Sequence, residues 1–419
     1  MMHEYSMNIL LHFLVFNLNI FCFVYDFGHI YKNEGHYFLA QTSRRTAEDS
    51  LNTEPSRQLV RITCDTTSPA VTMGLIISMP DRPKIDHTET DGCEQKLMNE
   101  DPMIVDHETE VSECGEAGLH SKYTDCTKNP GHAKFITLDT FTVNHLPAGY
   151  HDNILYDYIN CIADLTVRVT TKMTSSSRPK FWPETTQPYP FNNSSTTNFR
   201  TGSGIVRSVN KYKDGLIQGG YLGASHSTKC WCIKCQRSDS PSNVWWEFNV
   251  YTATHVVFDE YEASHTSLRL FYDRDDSPVV IVDKISVVYV NIKHDKCMLK
   301  CVTCDINVGD KLIGMRETYL DAWKQVLGKY SVLRDTHKLT IIVSHPHGRS
   351  KKVSVGHWKD KIVLEEDGDI KFSYTTSTCP GSSGASVHCV GYSRWMWFEL
   401  VHRGSLSSGL NCSGTGGVL

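Results

Sequence analysis

Downstream of Ile205 the chain is written almost entirely in short runs of β-branched and aromatic residues. Residues 244–250, 267–271, 279–282, 285–291, 339–343 and 395–401 each have strand length, and turn-forming residues separate them. A helix needs apolar residues every third or fourth position, and in this half only residues 316–327 offer that spacing. Many short strands over such a length bury their apolar faces as a sandwich or as a pair of barrels, so the fold class is mainly β.

The upstream text differs. Ile154, Leu155, Tyr158, Ile159 and Ile162 fall on one face of a helix over 151–163, and Leu165, Val167 and Val169 then alternate as a strand does. A Pro-, Ser- and Thr-rich connection over 175–198 follows, so 135–200 reads as a helix-and-strand lead-in to a domain over 201–419. Residues 47–134 include DHTETDGCEQ and DHETEVSECGE, acidic tracts without aromatics. Such composition buries too little apolar surface to offset chain entropy, and a disordered acidic region is expected there.

Residues 1–46 form an apolar leader. Its run over 8–25 has no Lys or Arg before it, is interrupted by His12, Asn17 and Asn19, and lacks a small-residue cleavage site after it. An intracellular location is favoured, with secretion or anchoring through 8–25 as the alternative. A net charge of −5 and the absence of a basic run exclude an electrostatic case for nucleic acid. The fifteen cysteines are odd in number and irregularly spaced, against an extracellular disulfide framework.

The stretch Cys379-Pro380-Gly381-Ser382-Ser383-Gly384-Ala385-Ser386-Val387 places serines between glycines just ahead of an apolar run. Such a turn is either an ordinary surface loop or the seat of a nucleophilic serine, with glycines letting backbone N–H groups face a developing oxyanion. Partners for Ser383 exist upstream: His255 in TATHVV, directly after a strand, and Asp295 in HDKCMLK, at the head of another.

In the order His, Asp, Ser, these segments resemble the trypsin/chymotrypsin-like serine protease family. Gly202-Ser203-Gly204-Ile205-Val206 is similar to its glycine-rich opening strand, and the strand, turn and strand over 342–356 to its HtrA-like and bacterial branches. The resemblance implies two six-stranded antiparallel β-barrels and a serine endopeptidase acting on a protein or peptide, with no cofactor required. It implies Ser383 as nucleophile, His255 as general base and acid, Asp295 as its orienting partner, and an oxyanion hole from the backbone of Gly381 and Ser383. Trypsin has Asp where this chain has Ser382, so activation through an ion pair to a new N-terminus is not expected. His402 lies where the family's substrate-binding strand should run, and an imidazole there suits a Glu or Gln side chain. A catalytically inactive binding module of the same fold is the alternative.

Two C-x-x-C pairs, Cys232/Cys235 and Cys301/Cys304, supply a possible structural zinc site. Disulfides and free buried thiols remain open for the same cysteines. A zinc-held β interaction domain is the reading in which the Ser-Gly turn is only a turn.

Overall fold

A computed structural model describes residues 105–417 except 193–196, 219–224, 226, 365–368 and 394–398, together with five short backbone stretches before residue 75. Those stretches pair as an antiparallel sheet in a separate unit, Met1–Leu97. The apolar run over 8–25 lies outside the described residues. Among the described residues no helix is long and apolar enough to cross a membrane.

The second unit, Met98–Leu419, contains two antiparallel sheets. Its first sheet uses β3 (Thr166–Met173), β4 (Thr197–Lys213), β5 (Val244–Thr252), β6 (Thr266–Leu270), β7 (Val280–Val282), β8 (Ile285–Asn291) and β9 (Lys296–Thr303), in the order β7-β6-β3-β4-β5-β9-β8. A further strand, β2 (Glu110–Ser112), pairs on β4, as does Leu216–Gln218. The second sheet uses β10 (Leu339–Ser344), β11 (Lys352–Val363), β12 (Ile370–Tyr374), β13 (Val387–Cys389), β14 (His402–Leu406) and β15 (Asn411–Ser413). Its order is β13-β10-β11-β12-β15-β14, extended past β14 by β1 (Val105–His107), with Ile136–Thr137 on β11.

Neither sheet is closed into a barrel by a continuous ladder, which corrects the expectation of two closed six-stranded barrels. Among the described residues, β13 and β14 approach each other through the bridge between Ser386 and Val401 and the bonds beside it. Residues read as disordered, 105–112, contribute a strand to each sheet, and Leu216–Gln218 and Ile136–Thr137 add one more apiece, which brings the totals to nine and eight. The composition argument failed there because Val105 and Ser112 are buried beneath other segments, so the tract borrows a core it does not supply. The boundary expected at 201 likewise falls inside β4, and β3 sits in mid-sheet between β6 and β4.

Helix α1 (Asn153–Leu165) starts where Asp152 accepts the N–H of Ile154 at 3.1 Å, a cap worth about 1 kcal/mol. Leu155, Ile159, Ile162 and Leu165 are fully buried on one of its faces. They join one core with Leu312 and Val326 of α2 (Ile306–Tyr330) and with Val167, Val169, Val250 and Leu299 of the first sheet.

Candidate active site

Strand register explains how two distant residues meet. β5 and β9 are antiparallel neighbours with Thr252 opposite Cys297, so the turn leaving β5 abuts the turn entering β9. His255 lies on the first turn and Asp295 on the second. Asp295 adopts a left-handed φ of 53°, which a short polar side chain tolerates better than most. One carboxylate oxygen of Asp295 accepts the His255 backbone N–H at 3.1 Å, and the other lies 2.8 Å from Nδ1. The far ring nitrogen, Nε2, is 2.7 Å from Ser383 Oγ.

Ser383 sits on the turn between β12 and β13. Gly381 there has φ +97°, and a side chain would place its Cβ 2.4 Å from the His345 carbonyl oxygen, so only glycine fits. The opening strand braces this turn from below. Ser203 donates its N–H to the Ser383 carbonyl at 2.8 Å and its hydroxyl to the Gly381 carbonyl at 2.8 Å. Ser382 bonds Ser344 of β10 through their hydroxyls at 3.0 Å and accepts the Cys379 N–H at 3.2 Å. Ser382 is thus held by a neutral hydroxyl pair, with no carboxylate at this position.

The chain's own residues occupy the cleft. β1 runs antiparallel to β14, with His107 opposite Gly404 and Val105 opposite Leu406. The Glu108 carbonyl oxygen accepts the N–H of Gly381 at 2.6 Å and that of Ser383 at 3.2 Å. Its own N–H lies 3.0 Å from Ser383 Oγ. Past Glu108 the chain continues as β2, paired with Phe199, Arg200 and Thr201 of β4. His255, Asp295 and Ser383 are fully buried in this arrangement, with His107 and Trp182 covering the imidazole at ring separations of 5.7 and 6.3 Å.

The Glu108 side chain enters a polar pocket with His402 at its floor. Nε2 of His402 is 2.9 Å from one carboxylate oxygen. Ser405 donates its hydroxyl to the other at 2.8 Å, and the Lys128 ammonium is bonded to that same oxygen. Tyr374 O–H lies 2.7 Å from Nδ1 of His402. Burial opposes the charge on Glu108, yet His402 and Lys128 outweigh it and hold the carboxyl well below its usual range. Burial pushes His402 below the ordinary imidazole value of 6.5, against the pull of Glu108. Both directions are satisfied by a neutral imidazole that accepts from Tyr374 and donates Nε2–H to Glu108, with Lys128 carrying the compensating charge.

The pocket residues Lys128, Ser405 and Tyr374 gave no sequence signal, since Lys128 lies in the tract read as disordered. Another unforeseen group supports the His255 turn. Glu262, fully buried, bridges Arg178 at 2.7 Å and Arg200 at 3.0 Å, and Arg178 donates to the His255 carbonyl at 3.1 Å.

Of the cysteines singled out above, Cys232, Cys235 and Cys304 converge, but their fourth neighbour is Cys230 and not Cys301. Alternation along β9 turns Cys301 into the apolar core beside Phe248 and Ile285, whereas Cys304 follows the strand's end. Cys230, Cys232, Cys235, Cys301 and Cys304 are unbridged thiols.

On this antiparallel β fold a carboxylate, an imidazole and a serine hydroxyl stand in one hydrogen-bonded line. Solved structures similar to this chain include an HtrA-type protease, a second protease and Deg5. The HtrA-type protease AlgW with a decapeptide matches at 13% identity and a TM-score of 0.32, over 62% of this chain and 63% of that one. The Rv3671c protease in its inactive form matches at 9% identity and a TM-score of 0.29, over 63% and 89%. Deg5 matches at 10% identity and 0.30, over 62% and 88%. This chain thus spans less than two thirds of the length of AlgW. No protein-family profile and no curated protein sequence matches it.

Proposed function

We propose that this protein is a serine endopeptidase selective for glutamate before the scissile bond. The observation that carries the reading is one constellation: His255 bridging Asp295 and Ser383 at 2.8 and 2.7 Å, while two N–H groups converge on a single carbonyl oxygen beside Ser383. In this reading His255 takes the Ser383 proton as the hydroxyl attacks a peptide carbonyl, then passes it to the leaving amine. Asp295 fixes the tautomer and stabilises the imidazolium. The N–H groups of Gly381 and Ser383 meet the oxyanion, a contribution of roughly 3 kcal/mol per donor in comparable sites.

Selectivity follows from the pocket. His402, Ser405 and Lys128 offer donors and a positive charge, and a shorter or apolar side chain would leave them unpaired. A Lys or Arg substrate would bring a second cation to Lys128. The stretch 371–382 contains no acid to receive one.

The test is labelling by a fluorophosphonate, which reacts only with an activated serine. Wild-type protein is expected to be labelled and Ser383→Ala not. Equal labelling of the two refutes the nucleophile assignment, and absence of label under all conditions leaves the inactive binding module.

A further inference from the structure

We propose that the bond between Glu108 and Thr109 is this chain's own substrate, cut in cis by Ser383. The proposal rests on the protease reading above and goes beyond it by naming a scissile bond. Segment 105–112 does not merely cover the cleft. Val105–His107 adds a strand to β14, the Glu108 side chain fills the pocket of His402, and its carbonyl receives both N–H groups. Glu110–Ser112 is held on the other side by β4. A peptide pinned on both sides, with its carbonyl in the oxyanion position, is a near-attack arrangement, which removes much of the entropic part of the barrier.

The chemistry balances with water alone. Ser383 Oγ adds to the Glu108 carbonyl carbon and its proton goes to His255. The C–N bond breaks as His255 protonates the Thr109 nitrogen, giving a free amine and a Glu108 ester on Ser383. Water then hydrolyses the ester, losing its proton to His255, and Ser383 is regenerated beside a Glu108 carboxylate. The products are residues 1–108 and a protease beginning at Thr109, whose first strand stays paired with β4.

The experiment is expression of the full chain, followed by intact mass measurement and N-terminal sequencing. Wild type should yield a fragment starting at Thr109, with a rate unchanged on tenfold dilution, and Ser383→Ala should stay whole. Glu108→Ala should stay whole at this bond while its serine still takes the fluorophosphonate. Wild type that remains intact but is labelled overturns self-cleavage and leaves the protease standing. If neither wild type nor Glu108→Ala is labelled, the protease reading falls as well. A rate proportional to concentration overturns the cis assignment.

A second, independent observation concerns a metal. We infer that Cys126, His132, His347 and Cys379 hold a zinc ion. One ligand atom from each lies within 4.8 Å of the others, and all four residues are buried. The Nε2 atoms of His132 and His347 are buried without any hydrogen-bond partner, which is costly unless something else satisfies them. His347 is oriented by Glu110 Oε2, 2.6 Å from Nδ1, the carboxylate–histidine arrangement that commonly backs a ligand. The two sulfurs are 3.6 Å apart, and tetrahedral zinc with Zn–S near 2.3 Å sets roughly 3.8 Å. Such a site would tie 126–132 to the turn that bears Ser383.

Elemental analysis of the purified full chain tests it. Cys126→Ser with His132→Asn should lower zinc by one atom per chain, while Cys232→Ser should leave that atom in place. Unchanged zinc in the double variant overturns the site, as does a zinc-free wild type whose mass shows a Cys126–Cys379 disulfide. If the double variant does not fold, X-ray absorption of wild-type zinc decides. A shell of sulfur and nitrogen supports the site, and a sulfur-only shell refutes it.

Discussion

Removing the ammonium of Lys128 should convert a glutamate pocket into one that no longer favours glutamate over glutamine. Its Nζ is bonded to Glu108 and lies 2.9 Å from Asn411 Oδ1 and 3.2 Å from Thr378 Oγ1. The carboxylate it faces is 3% exposed, and the lysine side chain 31%. Stripping one partner from a fully buried ion pair costs about 3–5 kcal/mol. Partial solvent access to the lysine reduces this to about 2 kcal/mol, roughly a 30-fold loss in kcat/KM. A glutamine substrate carries no charge for Lys128 to neutralise, so its loss should stay within about threefold, a single hydrogen bond's worth. The assay compares peptides that differ only by Glu or Gln before the scissile bond, using wild type and Lys128→Ala. Equal losses for both peptides, or none for either, would refute the claim that Lys128 carries the charge balance.

Other outcomes follow from the same geometry. Because burial holds His402 below 6.5, the preference for Glu over Gln should persist unchanged as pH rises through that value, and Tyr374→Phe should narrow it by releasing Nδ1; the check is the ratio of kcat/KM values against pH. Docking of 105–112 draws on a carboxyl whose folded pKa is depressed below 4.5. That stabilisation is complete above the undocked value and is lost as pH falls through the folded one. Thermal midpoints of Ser383→Ala should therefore drop more steeply below pH 4.5 than those of Ser383→Ala with Glu108→Gln. Gly381→Ala should cut turnover about 10²- to 10³-fold by displacing an oxyanion donor, and should lower the Tm as well, because its Cβ would meet the His345 carbonyl oxygen at 2.4 Å with φ at +97°. Glu262→Gln should lower stability by about 3–5 kcal/mol in denaturant titration, since two buried guanidinium groups lose their counter-ion.

The strands and helices of the central region were legible because their apolar spacing is local. The run 285–291 is a strand over those same residues, and the helix read at 316–327 is the later part of α2, whose first turns are interrupted by Gly309 and Gly314 and so do not read as helix. His255, Asp295 and Ser383 were legible as a set through their order, and the structure brings their side chains together. What local composition could not reveal was the fate of 105–134. A strand such as VDH gains its partners from residues nearly 300 positions away, and no window of sequence contains both. Cys301 was misplaced for the opposite reason. The C-x-x-C spacing straddles a strand end, where alternation sends one sulfur into the core and lets the other leave the sheet.

The tethering of β1 and β2 to one folded unit has a kinetic consequence. A segment fixed at both ends competes for the cleft at an effective concentration of about millimolar or above, whatever the protein concentration in the tube. An outside peptide must displace it, so an uncut chain turns over micromolar substrates only slowly, although an irreversible label still accumulates on its serine with time. Once the bond is broken, the Glu108 end has lost its covalent link to β2, and dilution alone can clear it. The first turnover then acts as a latch, and the molecules opened to other substrates are those that had already folded well enough to cut themselves.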